Sequence, residues 1–155
     1  MQADHERFIH ETINLAEAAV AHGNEPFGSL LVKNGDVLLR VENTVYTGND
    51  MTNHAEMNLV REALKQYDPA FLTDCTLYTS TEPCAMCAGA IYWSGIGRVV
   101  YGCTEQRLGE IAGIGLDVPC RTIFASGARK VDVVGPVCDL DAEKIHLSYW
   151  LRRSQ

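Results

Sequence analysis

The sequence predicts an α/β domain: a three-layer sandwich in which helices flank a mixed five-stranded sheet. Three observations carry this expectation. Segments with apolar residues at helical spacing alternate with short Val- and Leu-rich runs after an opening pair of such runs. Asn34-Gly35 sits between the members of that pair and is a preferred dipeptide for a two-residue hairpin turn. Later strands are joined through helices, which favours parallel pairing. The chain of 155 residues shows no internal repeat, low-complexity run or linker, so a single domain over 1–155 is expected.

Each element has its own signal. Ile9, Ile13, Ala16 and Val20 mark a helix over 5–22, with Asp4 as a cap and Gly23 as a stop. Runs 27–33 and 37–42 form the hairpin, and Asn43 opens a polar loop to Asn53. Residues 53–67 read as a helix with Met57, Val60 and Leu64 as its buried stripe. Asn53 and Glu56 have capping-box spacing, and Asp68-Pro69 ends the helix. Residues 76–79 are a strand. Pro83 suits the first turn of a helix over 84–94 that stops at Gly95. Strands at 98–101 and 131–134 and a final helix over 139–151 complete the pattern. The glycine-rich run 102–128 carries a short helix over 105–112 and otherwise gives little signal.

Composition excludes several classes. A hydrophobic content of 46% with 21% charged residues is that of an ordinary soluble globular protein. No apolar run reaches the roughly 18 residues of a membrane span. The start Met1-Gln2-Ala3-Asp4 has no basic segment followed by an apolar one, so a secretory signal is not expected, and the expected location is cytoplasmic. The net charge of −7 disfavours a polyanionic partner, because phosphate contacts need Lys and Arg. Those residues are scattered; Arg129-Lys130 and Arg152-Arg153 are the densest sites. Of the six cysteines, Cys84 and Cys87 have metal-ligand spacing and the other four read as buried thiols.

The chemistry lies in His54-Ala55-Glu56 and Pro83-Cys84-Ala85-Met86-Cys87. One imidazole and two thiolates suit zinc, and three protein ligands leave a fourth tetrahedral position for water, as in catalytic rather than structural sites. Cys84 and Cys87 share a face at a helix start, where exposed N–H groups and the helix dipole favour thiolates. His54 and Glu56 are only two apart. At a helix start the first can ligate while the second reaches the bound water, a ligand plus a proton shuttle. Alone, either motif is weak. Together, each at a helix start with a strand between, they form the pattern of zinc-dependent base deaminases.

On these residues the chain resembles the cytidine deaminase superfamily. The resemblance runs from about Glu25 to Tyr101. It rests on Pro26-Phe27-Gly28, Asn43, His54-Ala55-Glu56 and the stretch from Thr76 through Glu82-Pro83-Cys84-Ala85-Met86-Cys87 to Ile91. It is similar to the branch holding bacterial guanine deaminases, fungal cytosine deaminases and tRNA adenosine deaminases, and its Pro-Phe-Gly and Ala-Ile-Tyr-Trp segments look most like guanine deaminases. The resemblance implies a five-stranded core, a homodimer, and one Zn2+ per chain with a catalytic water. It implies His54, Cys84 and Cys87 as ligands and Glu56 as general acid/base. Asn43 would hydrogen-bond the base, Phe27 and Gly28 would wall the ring, and the backbone near Glu82 would approach the departing amine.

The expected reaction is hydrolytic deamination of a free nucleobase or related heterocycle, first of all guanine to xanthine and ammonia. Cytosine or a nucleoside is the alternative, and adenosine in tRNA a lesser one. Segment 103–128, with Pro119-Cys120-Arg121-Thr122, departs from the guanine deaminase pattern. Within it Asp117 is either an acceptor for guanine's N1–H and 2-amino groups or a residue that starts a turn. Tyr149 and Trp150 are either a stacking lid or core packing. Tyr92 and Trp93 are read as packing or dimer contacts. A structural zinc module or a thiol redox protein would not need Glu56 or His54 respectively.

Overall fold

The computed structural model describes residues 2–153, with the backbone alone for Gln2 and Arg153. Helix α1 (Gln2–Ala21) leads into the hairpin β1 (Gly28–Lys33) and β2 (Asp36–Glu42). Then come α2 (Ala55–Gln66), α3 (Pro69–Leu72), β3 (Thr76–Thr81), α4 (Ala85–Ser94) and β4 (Arg98–Cys103). Helices α5 (Glu105–Ala112) and α6 (Cys120–Ala125), strand β5 (Asp132–Val134) and helix α7 (Asp139–Arg153) finish the chain. Among the described residues no helix is long and apolar enough to cross a membrane.

The sheet has the order β2-β1-β3-β4-β5. The Asn34-Gly35 turn closes β1 onto β2 antiparallel, with both residues at positive φ, as a type I′ turn demands. β1 also pairs antiparallel with β3, whereas β3–β4 and β4–β5 are parallel. The crossover through α4 therefore behaves as expected. β2 and β3, joined through α2, run the same way but have β1 between them.

Alternation along the strands divides the core in two. Leu31, Leu77 and Val99 face α2, α4 and α6, with Leu59, Ala88 and Phe124. Leu30, Tyr78 and Val100 face α1 and α7, with Phe8, Ile13 and Ala142. Period-two side-chain direction thus places one apolar layer on each side of the sheet.

Several local expectations are corrected. Asp4 lies inside the first turn of α1 rather than capping it. The N-cap of α2 is His54, not Asn53; the Asn53 carboxamide instead accepts from Arg61 and donates to Thr44 O. The buried face of α2 is Ala55, Glu56, Leu59, Val60 and Ala63, while Leu64 is exposed. The helix is rotated so that Glu56 turns inward, and this rotation carries Leu64 out. Asp68-Pro69 begins α3, where Asp68 caps Phe71 N–H. Helix α6, in the glycine-rich run, was not expected.

Candidate metal centre and active site

Two helix N-termini meet at the carboxyl end of β3, the usual place for a site beside parallel strands. His54 is the N-cap of α2 and Cys84 the N-cap of α4, both with extended backbone. Cys87 follows within the first turn of α4. Because His54 is outside the helical spiral, its side chain and that of Glu56 are free to converge. That explains how a two-residue spacing serves one site.

The ligand atoms of His54, Cys84 and Cys87 lie within 4.8 Å of one another. The two sulfurs stand 3.6 and 3.5 Å from His54 Nδ1. Tetrahedral zinc with bonds of about 2.3 Å to sulfur and 2.0 Å to nitrogen separates S and N by roughly 3.5 Å. The spacing is that of ligands around a shared ion, and the three residues are positioned to hold zinc.

As protein groups alone, the three share protons unevenly. The Cys84 thiol is pushed down to about 4, chiefly by the hydrogen bond from Cys87 and further by His54. The same bond, with burial, pushes Cys87 well up. His54 is raised, chiefly by its contact with Cys84. Glu56 is buried, and burial first, then the Cys84 thiolate, pushes its carboxyl up to about 7. A dication on the ligands acts in the opposite sense. A buried carboxyl this close to the ligand set is placed for proton transfer.

Asn43 is fully buried. Its Oδ1 accepts from Val45 N–H at 3.0 Å, which fixes the amide orientation, and its Nδ2 has no partner among the described residues. Asn43 N–H donates to Phe27 O at 3.1 Å, so these two residues are tied together. Phe27 is half-buried, its ring 5.3 Å from that of His146. Gly28 is buried against α1: a Cβ there would come within 2.5 Å of Thr12 O. Its bareness serves helix packing.

Glu82 is buried, and its carboxylate accepts from Glu105 N–H at 3.0 Å and Cys120 N–H at 2.9 Å. It therefore pins the starts of α5 and α6 two residues before Cys84. Asp117 is exposed on the loop after α5, beside Gln106 and Gly113. Tyr149 is packed inside, edge-on to Trp150 at 4.8 Å. Trp150 is half-buried and donates to His146 Nδ1 at 3.1 Å. Tyr92 accepts from Ala128 N–H, while Trp93 is 83% exposed.

Sequence reasoning missed Glu105. It is buried at the start of α5, and burial first pushes its carboxyl up to about 7. The charges of Cys84 and Glu82 add to that rise, while Leu116 N–H and His54 oppose it. Glu105 therefore shares the field of the ligand set. Its only sequence signal was an acidic residue in a helical first turn.

Residues 2–103 match the model of the cytidine and deoxycytidylate deaminase zinc-binding region. A probable cytosine deaminase of Schizosaccharomyces pombe is 36% identical over 149 residues, 92% of this chain and 90% of that protein. Guanine deaminase of Bacillus subtilis is 44% identical over 108 residues, 69% of each chain. A solved structure from a study of tRNA:A34 deaminases superposes with a TM-score of 0.73 at 29% identity, covering 90% of this chain and 98% of that one. The matched stretch contains Asn43, Glu56 and all three ligands, and with two helix starts spaced for a single zinc ion the chain belongs to the cytidine and deoxycytidylate deaminase zinc-binding family.

Proposed function

We propose that this zinc deaminase acts on a free nucleobase, with guanine as substrate and xanthine and ammonia as products. The observation that carries the substrate class is Asn43. Its oxygen is committed to Val45 N–H, leaving a buried NH2 without an acceptor among the described residues. Such an orphan is costly unless a ligand supplies the acceptor. A purine or pyrimidine ring offers one in its carbonyl and unprotonated nitrogens. Acidic Glu56, Glu82 and Glu105 around the site disfavour a phosphate and favour a ring rich in N–H donors. We assign Glu105, rather than the exposed Asp117, as the acceptor for guanine's N1–H and 2-amino edge. The 44% identity to the Bacillus subtilis guanine deaminase supports the same reading.

Zinc, when bound, supplies a water acidified from about 15.7 toward roughly 7. Glu56 would take a proton from that water and deliver it to the ring nitrogen as the hydroxide adds to the amine-bearing carbon; it would then carry the added hydroxyl's proton to the amine, which leaves as ammonia while a carbonyl forms. Phe27 covers the ring, and Asn43 holds it in register. Cytosine is the second reading, because the identity to the probable cytosine deaminase extends over 92% of this chain. The proposed assembly is a homodimer, supported by Trp93 and Met86 exposed on α4.

An ammonia-release screen over guanine, cytosine, adenine, their nucleosides and related triazines tests this. Guanine should give the highest kcat/KM; a preference for cytosine would replace it. Glu56→Gln should keep zinc and lose about 10²–10⁴-fold in turnover.

A further inference from the structure

Helix α7 carries a fully buried imidazole, His146, that the chemistry above does not use. Its surroundings fix its protons. The Trp150 indole can only donate, and it donates to Nδ1 at 3.1 Å. Nδ1 is therefore bare. In a neutral imidazole the hydrogen then resides on Nε2, which lies 2.7 Å from Thr81 Oγ1 and donates to it. Both nitrogens are committed, so the ring is no proton acceptor. Burial also pushes its pKa down to about 4, which keeps it neutral.

Besides Trp150, the ring touches two residues that lie side by side where β1 pairs with β3, one on each strand's approach to the site. Thr81 is the last residue of β3, directly before Glu82-Pro83-Cys84. Phe27, 5.3 Å away ring to ring, is tied through its carbonyl to Asn43. The helix packs closely here: a Cβ on Gly102 of β4 would lie 2.8 Å from Ala142 Cβ, one turn before His146. α7 is seated directly on the sheet backbone.

We propose that His146 is a positioning residue: a neutral imidazole, locked by Trp150 as the Nε2–H tautomer and anchored on Thr81, that holds the Phe27 side chain in place as the wall of the base site. It rests on the reading above that Phe27 and Asn43 contact the base. Its prediction concerns affinity. A wall displaced from the base weakens binding before and during reaction alike, so KM rises while kcat holds. A histidine that only filled the core would change stability and leave KM alone.

The test uses the zinc-loaded full chain. Nitrogen-15 NMR of the wild type should show a protonated Nε2 and a bare Nδ1 for His146, and Trp150→Phe should turn this into a mixture of tautomers. In ammonia release, His146→Phe should raise KM about tenfold with kcat within about twofold, the scale of one lost buried hydrogen bond. Its zinc stoichiometry should be unchanged. His146→Gln, whose amide N–H can replace the donor to Thr81, should bring KM back to within about threefold of wild type. The proposal is overturned by a hydrogen on Nδ1, by an unaltered KM in His146→Phe, or by a fall in kcat alone. If His146→Phe does not fold, Thr81→Val, which removes the same hydrogen bond from its other end, should raise KM likewise with zinc unchanged, and an unaltered KM there overturns the proposal. A wild type that releases no ammonia from any ring overturns the substrate reading and the affinity claim together, while the tautomer is still read directly.

Discussion

Glu56, Glu82 and Glu105 are all buried, and their neighbours separate their roles. Glu82 is saturated by two backbone N–H groups, which makes it an anchor. Glu56 sits between two ligand-bearing helix starts, where a proton can enter and leave. Glu105 lies in the field of the ligands, and its carboxylate accepts a long bond from Leu116 N–H at 3.4 Å. Two substitutions should therefore diverge. Cys87→Ala should drop zinc from about one per chain toward none by atomic absorption, since two ligands do not hold a tetrahedral ion. Glu105→Gln should keep its zinc and lose about ten- to a hundredfold in kcat/KM for guanine, the cost of a charged acceptor, with cytosine turnover less affected. Unchanged guanine kinetics would remove Glu105 from the site. Residue type and spacing made His54, Glu56, Cys84 and Cys87 legible, because few residues bind zinc. Glu105 and His146 were not legible. An acid in a first turn and a lone helical histidine look the same in sequence whether they face solvent or the interior.

Elements were readable wherever a local rule decided them. Asn34-Gly35 fixed the hairpin, Gly95 the stop of α4, and the five strands followed from their apolar runs. Helix α2 was found but its face was misassigned, because Leu64 and Met57 looked apolar while the interior took Leu59, Ala63 and the carboxylate of Glu56. Helix α6 went unseen: it has six residues, starts after Pro119, and is held by Glu82 from another part of the chain. The contact between α1 and β1 was equally invisible. Gly28 matched a motif, yet its missing Cβ makes room for Thr12 and Leu15. Gly28→Ala should therefore destabilise the protein by about 2 kcal/mol and lower Tm by roughly 4–8 °C. The surviving folded fraction should bind zinc normally. An unchanged Tm would mean that α1 is less closely seated on β1 than the structure has it.

At the scale of the whole molecule, the fully buried His146 contributes one component of the response to acid. Its pKa falls from 6.5 to about 4 in the fold, so on acidification the unfolded chain takes up the proton first. Stability contributed by the neutral ring is complete above about 6.5, declines as pH falls through that window, and levels off below about 4. The loss should approach about 3 kcal/mol. Denaturant unfolding of wild type and His146→Gln across pH 4–7 isolates this from zinc loss: the wild type's slope should be the steeper, and parallel curves would exclude it. Glu82 holds the starts of both α5 and α6, so the stretch between them leaves and returns to one clasp beside the ligands. Loop length adds little entropic cost once the ends are held. That stretch is thus an exchangeable cassette: it can be lengthened, shortened or rewritten to suit another ring while the hydrolytic machinery stays where it is.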